Sequence, residues 1–297
     1  MRVVGSITTI PGRYPKLLRT LRSLHDQTYP LNDIYLGISR VSRRLKEPYP
    51  EISDEIKELC TIVMCDEDYG PCTKIVGALL ADEDPDTVIV TFDDDVVYPP
   101  TLISSLVSYH HKYPNSAIGS NGILFKLGFP FYSTISNCNM ISGPALKEEG
   151  RCVDALFGFS SILYVRKFFP HKSELYDKFL KYPLMDHDVY LNDDIMISAF
   201  LALQKIERRI LPNIPIVNEG KVSDPLIDYR DGNEISYNKI VFVQRLRRSI
   251  NKLIEWGFFE VTEPVAVDET IGGYIGILVI LVIALVVLAF FYYIYIR

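Results

Sequence analysis

From Thr87 to Phe92 the chain reads Thr-Val-Ile-Val-Thr-Phe, an apolar, β-branched run typical of a buried strand, and three carboxylates, Asp93, Asp94 and Asp95, follow at once. Val96-Val-Tyr-Pro-Pro100 comes next, and its paired prolines end regular pairing. Negative charge is therefore concentrated at the carboxyl end of a strand. In an open α/β sheet that is where ligands bind, in the crevice beyond the strand ends. Three adjacent acids repel one another unless a cation offsets them. Oxygen donors suit Mg²⁺ or Mn²⁺, ions that commonly bridge to substrate phosphates. The triplet thus predicts a metal and diphosphate site, while a solvated acidic turn is the reading that these residues alone leave open.

The flanking sequence alternates as such a sheet requires. Residues 1–10 read as a first strand and 11–14 as a turn; 15–27 reads as a helix with Leu17, Leu18, Leu21 and Leu24 on one face. Strands are expected at 34–39 and 61–64 and helices at 51–59, 73–81 and 100–112, with a basic loop at 40–50. This spacing implies βαβ units, a parallel sheet and right-handed crossovers. Residues 117–126 look like one strand and 155–165 like one apolar segment with small residues. Between them, 128–150 is rich in Gly, Pro, Ser and Asn and suits a binding surface. Residues 191–203 read as a helix capped by Asn192 or Asp193, with Asp193 and Asp194 at its N-terminus. A cap plus complementarity to the helix dipole would account for that acid pair without any chemistry.

Composition narrows the partners. With 48% hydrophobic and 23% charged residues the chain is globular, and a net charge of −6 argues against nucleic acid, which needs a basic face. Cys60, Cys65, Cys72, Cys138 and Cys152 are odd in number and contain no C-x-x-C pair, so a disulfide framework or zinc site is not indicated. No asparagine begins a glycosylation sequon, and the first residues lack the features of a signal peptide. Residues 271–296 carry no charge and are numerous enough to span a bilayer as a helix, with Tyr292, Tyr293 and Tyr295 at one end as interface aromatics. Arg245, Arg247, Arg248 and Lys252 precede that run while only Arg297 follows it, which predicts a single-pass C-terminal anchor with the larger part facing the cytosol. Before it, residues 238–257 form an amphipathic pattern with Val243, Leu246, Ile250, Leu253 and Ile254 on one side. A position at the membrane surface and packing on the globular domain both fit this pattern.

Taken together, Ile7-Thr-Thr-Ile-Pro-Gly-Arg13, Leu21-Arg-Ser-Leu-His-Asp-Gln-Thr-Tyr-Pro30, Thr91-Phe-Asp-Asp-Asp95 and Asn192-Asp-Asp194 resemble the GT-A glycosyltransferases of the family-2-like type. The resemblance covers about residues 2–205 and implies a Rossmann-like mixed sheet flanked by helices, in addition to the transmembrane helix. It further implies a catalytic domain over 1–237, with 1–97 binding a nucleotide sugar and 98–237 an acceptor; the amphipathic helix, a linker at 258–270 and the span follow. The implied activity is transfer of a sugar from a UDP- or GDP-sugar to a hydroxyl of a glycan, lipid or protein, with Mn²⁺ or Mg²⁺ as cofactor. The family's D-x-D motif falls on Asp93, facing the nucleotide, and Asp95, holding the metal, with Asp93 a second possible ligand and Asp94 in support. Its later acid pair places the general base on Asp194, with Asp193 as the alternative, and implies inversion. Thr8, Pro11, Arg13, Asp66 and Lys74 are implied near the nucleotide, Lys74 at a helix start where it could meet a phosphate oxygen. Gln244-Arg-Leu-Arg-Arg248 resembles the Q-x-x-R-W motif of processive synthases, but Arg248 replaces the tryptophan, and a single span does not suit polymer extrusion. His187 is the candidate for a third metal ligand. Two other readings stand beside this one: Asp93-x-Asp95-x-Val97 with Asp193 and Asp194 also fits a haloacid-dehalogenase-like phosphatase, and a membrane-tethered, non-catalytic adaptor could retain the same fold.

Overall fold

The computed structural model describes residues 1–125, 138–142, 149–212 and 239–259, all within one of two units. The second unit, Leu127–Pro130 with Val261–Arg297, lies outside the described residues, and so does the predicted span at 271–296. Among the described residues no helix is long and apolar enough to cross a membrane.

In chain order the first half comprises β1 (Val3–Thr8), α1 (Tyr14–His25), β2 (Asp33–Ile38), the short pair β3 (Val41–Ser42) and β4 (Glu47–Pro48), α2 (Asp54–Leu59), β5 (Thr61–Met64), α3 (Thr73–Ala81) and β6 (Val88–Phe92). α4 (Leu102–Lys112), β7 (Ser116–Gly119), β8 (Asn121–Phe125), β9 (Cys138–Ser142), β10 (Arg151–Cys152), β11 (Ala155–Leu156) and β12 (Ile162–Val165) follow. The remainder is α5 (Lys181–Met185), α6 (His187–Tyr190), α7 (Asp193–Leu203), β13 (Glu207–Ile210) and α8 (Lys239–Glu255).

The main sheet has the order β10-β13-β7-β12-β6-β1-β2-β5. Parallel pairing joins β6 to β1, β1 to β2 and β2 to β5, with Ser6 opposite both Tyr35 and Thr91. β12 runs antiparallel between β6 and β7, so the sheet is mixed, where βαβ spacing alone predicted parallel strands. The chain moves outward from β1 to β2 and β5, then returns through α3 to place β6 on the other side of β1. That reversal makes the gap between the carboxyl ends of β1 and β6 a topological switch point, where an open α/β sheet forms its binding crevice. β6 can occupy the sheet's interior because all five of its residues are apolar or small and buried.

Two contacts fix the elements around this crevice. α3 lies directly on β2: a Cβ at Gly37 would come within 2.8 Å of the Thr73 carbonyl oxygen, and Ser6 Oγ accepts from the Ala78 N–H at 3.1 Å. On the other side Gln27 stitches α1 to the segment after the triplet, its Nε2 donating to Pro99 O at 2.9 Å and its Oε1 accepting from Ile103 N–H at 3.1 Å. The Gln-Thr-Tyr-Pro sequence is therefore a brace for the acidic loop.

Elsewhere local chemistry departs from the sequence pattern. Residues 117–126 divide at Ser120 into β7 and β8, which join different sheets, and 155–165 divide at the left-handed Ser161 into β11 and β12. The loop at 40–50 contains the β3–β4 pair. Glu207-Arg-Arg-Ile forms a strand despite three charges, with Arg209 donating to Gly150 O at 2.6 Å. α8 packs on α6 and α7 with Leu246, Ile250 and Leu253 buried, which decides for the domain over the membrane surface as the partner of that face.

Candidate functional site

The loop after β1 and the loop after β6 meet at the switch point through charge. Arg13, 1% exposed, places its guanidinium against Asp94 at 3.2 Å and donates from Nη2 to Asp95. Thr9, the first residue after β1, donates its hydroxyl to Asp94 Oδ2 at 2.5 Å. Burial pushes the Asp94 carboxyl up to about 6 even though Arg13 and Thr9 favour its charged form. Asp93 is fixed from behind: its N–H donates to the buried Tyr98 hydroxyl at 2.8 Å, and Tyr98 packs edge-on against Phe92 with ring centroids 5.0 Å apart.

The second acid pair reaches the same place. Lys74, on the first turn of α3, lies 2.6 Å from Asp93 Oδ1 and 2.9 Å from Asp193 Oδ2, although it is 7% exposed. Burial opposes its charge, but Asp193, Asp93 and Asp194 together raise its pKa well above that of an ordinary lysine. Asp194 accepts from the Gly158 N–H at 2.9 Å, and a Cβ on Gly158 would stand 2.7 Å from Asp194 Oδ1 and 3.6 Å from Lys74 Nζ. Burial first and the Asp193 charge second push Asp194 up to about 8, against the pull of Lys74 and the Gly158 N–H. Two buried cations thus face five carboxylates, an excess of acid that a divalent ion would offset.

Arg13, Lys74, Asp93, Asp94, Asp95, Asp193 and Asp194 converge, but not every expected residue joins them. Lys74 is engaged by two carboxylates rather than presented to a phosphate. Thr8 donates to Gly37 O at 2.8 Å, Pro11 is buried in the turn, and Asp66 is exposed in the loop after β5. Beyond Asp66, Asp68 is the buried acid, accepting from the Arg43 and Gly70 N–H groups, each at 2.7 Å. Its sequence signal was Asp68-Tyr-Gly70, an acid two residues before a turn glycine. The contacts of Thr9, Tyr98 and Gly158 also escaped notice, since each contributes a single atom and no repeating pattern. Of the two expected caps, Asn192 takes the N-cap position of α7 without a side-chain capping bond, and Asp193 is the first residue of the helix. His187 is exposed and stacked near Tyr190, with ring centroids 6.4 Å apart.

For a metal, Asp93 and Asp95 each have one oxygen committed to Lys74 or Arg13 and a second outside those pairs. Among the described residues no three His, Cys, Asp or Glu side chains stand together to hold an ion. Such a donor set does not fit a metal cage, but it does fit an ion that arrives with a diphosphate, since Mg²⁺ is commonly held by one or two carboxylates plus phosphate oxygens. Two concavities, of about 270 and 440 Å³, open near the amino ends of the parallel strands around residues such as Asn32 and Asp86, and neither is lined by any of these acids.

Residues 7–168 match the model of the family described as glycosyl transferase family 2, more than half of the chain and including the acidic triplet. Compared by sequence with curated proteins, the chain matches none. Among solved structures it is similar to S. aureus TarS, at 12% identity and a TM-score of 0.45, over 72% of this chain and 35% of that one. It is also similar to S. aureus TarS 1-349 in complex with UDP-GlcNAc, at 14% identity and a TM-score of 0.46, over 83% of this chain and 65% of that one. GalNAc-T7 with UDP, GalNAc and Mn²⁺ is similar at 13% identity and a TM-score of 0.47, over 84% and 48%. The chain thus covers from about a third to just under two thirds of these chains' lengths.

Proposed function

This chain belongs to glycosyl transferase family 2, and we propose that it moves a sugar from a nucleotide-sugar donor to an acceptor hydroxyl with inversion, assisted by Mn²⁺ or Mg²⁺. One observation carries this reading: the acidic triplet after β6 and the acid pair of α7 meet on Lys74 beside the switch-point crevice. The family match spans the triplet and leaves the phosphatase reading without support.

In this mechanism Asp95 and Asp93 would hold the cation through the oxygens that Arg13 and Lys74 leave uncommitted. Bound there, it would neutralise charge developing on the departing diphosphate. Arg13 and Lys74 keep the carboxylates from repelling one another and fix their directions before the donor arrives. Asp194 accepts the proton of the attacking hydroxyl as the new glycosidic bond forms on the face opposite the breaking one. Its raised pKa suits that task, because a base is most effective when its pKa lies near the working pH. Residues 271–296 are proposed as a membrane anchor with the catalytic domain on the cytosolic side, on the strength of their charge-free run and the basic residues before it.

The test offers the full-length chain a panel of UDP- and GDP-sugars with and without Mn²⁺ and follows nucleotide release. Metal-dependent release is expected for the parent, loss of donor binding for Asp95→Ala, and retained binding without transfer for Asp194→Asn. Equal activity in all three would overturn the assignment, and donor binding without turnover in the parent would favour an adaptor.

A further inference from the structure

Asn192 occupies the N-cap position of α7, directly before the acid pair, yet its side chain makes no capping bond. An asparagine here ordinarily gives its oxygen to the first-turn N–H groups. Instead its Nδ2 donates to Asp188 O at 2.7 Å and to Ser249 Oγ at 2.8 Å. The Ser249 hydroxyl, 0% exposed, in turn donates to Asp188 O at 2.8 Å. Its single proton is shared between that carbonyl and Arg245 O at 3.1 Å, and a residue of α8 is tied to the start of the helix that carries Asp193 and Asp194. Arg248 adds a second tie to α6, donating from Nε to Asp188 Oδ2 at 2.5 Å and from Nη2 to Oδ1 at 3.1 Å.

We propose that Asn192 and Ser249 are positioning residues for sugar transfer. Through their hydrogen bond α8 sets where α7 begins and so where the Asp194 carboxylate points. This inference rests on the reading of Asp194 as the base. The Gly158 N–H holds one oxygen of that carboxylate, so a small shift of α7 would misalign the other. A displacement of about 1 Å can cost as much as about 100-fold in rate.

The experiment compares the full-length parent with Ser249→Ala, Asn192→Ser and the double variant. Serine can cap α7 and so preserve its stability, but it is too short to reach Ser249. For each variant kcat should fall by roughly 10- to 100-fold while donor KM stays within about twofold, and the melting temperature of Asn192→Ser should stay close to the parent's. The loss in the double variant should fall well short of the product of the two single losses, because either substitution removes the Asn192–Ser249 bond, while each also removes its own bond to Asp188 O. Amide hydrogen exchange without donor reads the tie itself: residues 196–199, the first amides of α7 with helical acceptors, should exchange faster in Ser249→Ala, with β6 unchanged. Unchanged kcat in either single variant overturns the proposal, as do additive losses or a rise in donor KM that follows the loss of melting temperature. Faster exchange at 196–199 in a protein whose parent transfers no sugar would locate the failure in the functional reading and reduce the bond to a structural one.

Discussion

Lys74 Nζ lies 2.9 Å from Asp193 Oδ2, joining an element of the amino-terminal half of the sheet to the helix that carries the second acid pair. Asp93 holds the same ammonium at 2.6 Å, so a single buried cation keeps two carboxylates from opposing each other. The contact makes the two acidic motifs one electrostatic unit.

Replacing that cation should therefore cost more than its hydrogen bond. In Lys74→Met the buried Asp193 and the half-buried Asp93 lose their counter-charge, and breaking a buried pair from one side typically costs about 3–5 kcal/mol. Thermal or urea unfolding should show a loss of that order. Adding Asp193→Asn should recover part of it, because one of the stranded charges is then removed. A double variant less stable than Lys74→Met would show that Asp193 is not balanced by Lys74.

The raised pKa of Asp194 predicts two opposite dependences on pH. Transfer needs the ionised carboxylate, so kcat/KM should climb with pH along a limb centred near 8 rather than near an ordinary carboxylate's 4. Stability should move the other way. The unfolded chain releases this proton near pH 4 and the folded chain only near 8, so the folded state binds more protons in between and its stability falls as pH rises across that window. Melting temperatures measured from pH 5 to 8.5 should decline in the parent and less steeply in Asp194→Asn. Equal slopes would remove Asp194 as the source.

Gly158→Ala should separate catalysis from folding. The added Cβ would lie 2.7 Å from Asp194 Oδ1, closer than carbon and oxygen tolerate, but the obstructing atom is the tip of a side chain and can swing aside. Stability should change by less than about 1 kcal/mol. Because the swing turns the carboxylate away from the acceptor, kcat should fall roughly 10- to 100-fold with donor KM nearly unchanged. Crystals of the variant showing Asp194 undisturbed, with kcat intact, would refute the contact's importance.

Much of this site was legible in the sequence because charge and period are local signals. The strand before Asp93 announces itself by β-branching, and Asp193-Asp194 by its place at a helix start. What stayed hidden depends on which strands become neighbours. Thr9 reaches Asp94 only because β6 pairs with β1, a return across the sheet that no local pattern encodes. The destination of Lys74 was hidden likewise: a lysine at a helix start looks solvated or phosphate-binding until α3 is laid on β2. β12 was obscured by the left-handed Ser161, a conformation that serine's chemistry does not announce. Residues 271–296, whose apolar run is the strongest compositional signal in the chain, lie outside the described residues.

The approach of α3 to β2 yields a prediction in which two neighbouring glycines behave differently. At Gly37 a Cβ would lie 2.8 Å from the Thr73 carbonyl oxygen, a backbone atom that cannot move without the helix. Gly37→Ala should therefore destabilise the protein by about 1–3 kcal/mol through overpacking. It should also lower kcat, since Lys74 follows Thr73 and moves with it. At Gly77 the contacts are softer, 3.1 Å to Gly37 N and 3.2 Å to Gly37 Cα. Alanine there gains helix propensity of about 1 kcal/mol, which offsets the few tenths of an ångström of adjustment required. Gly77→Ala should accordingly be close to neutral in both unfolding and turnover. If it proved the more damaging of the two, the packing of α3 rather than its backbone approach at Thr73 would be what holds Lys74 between Asp93 and Asp193.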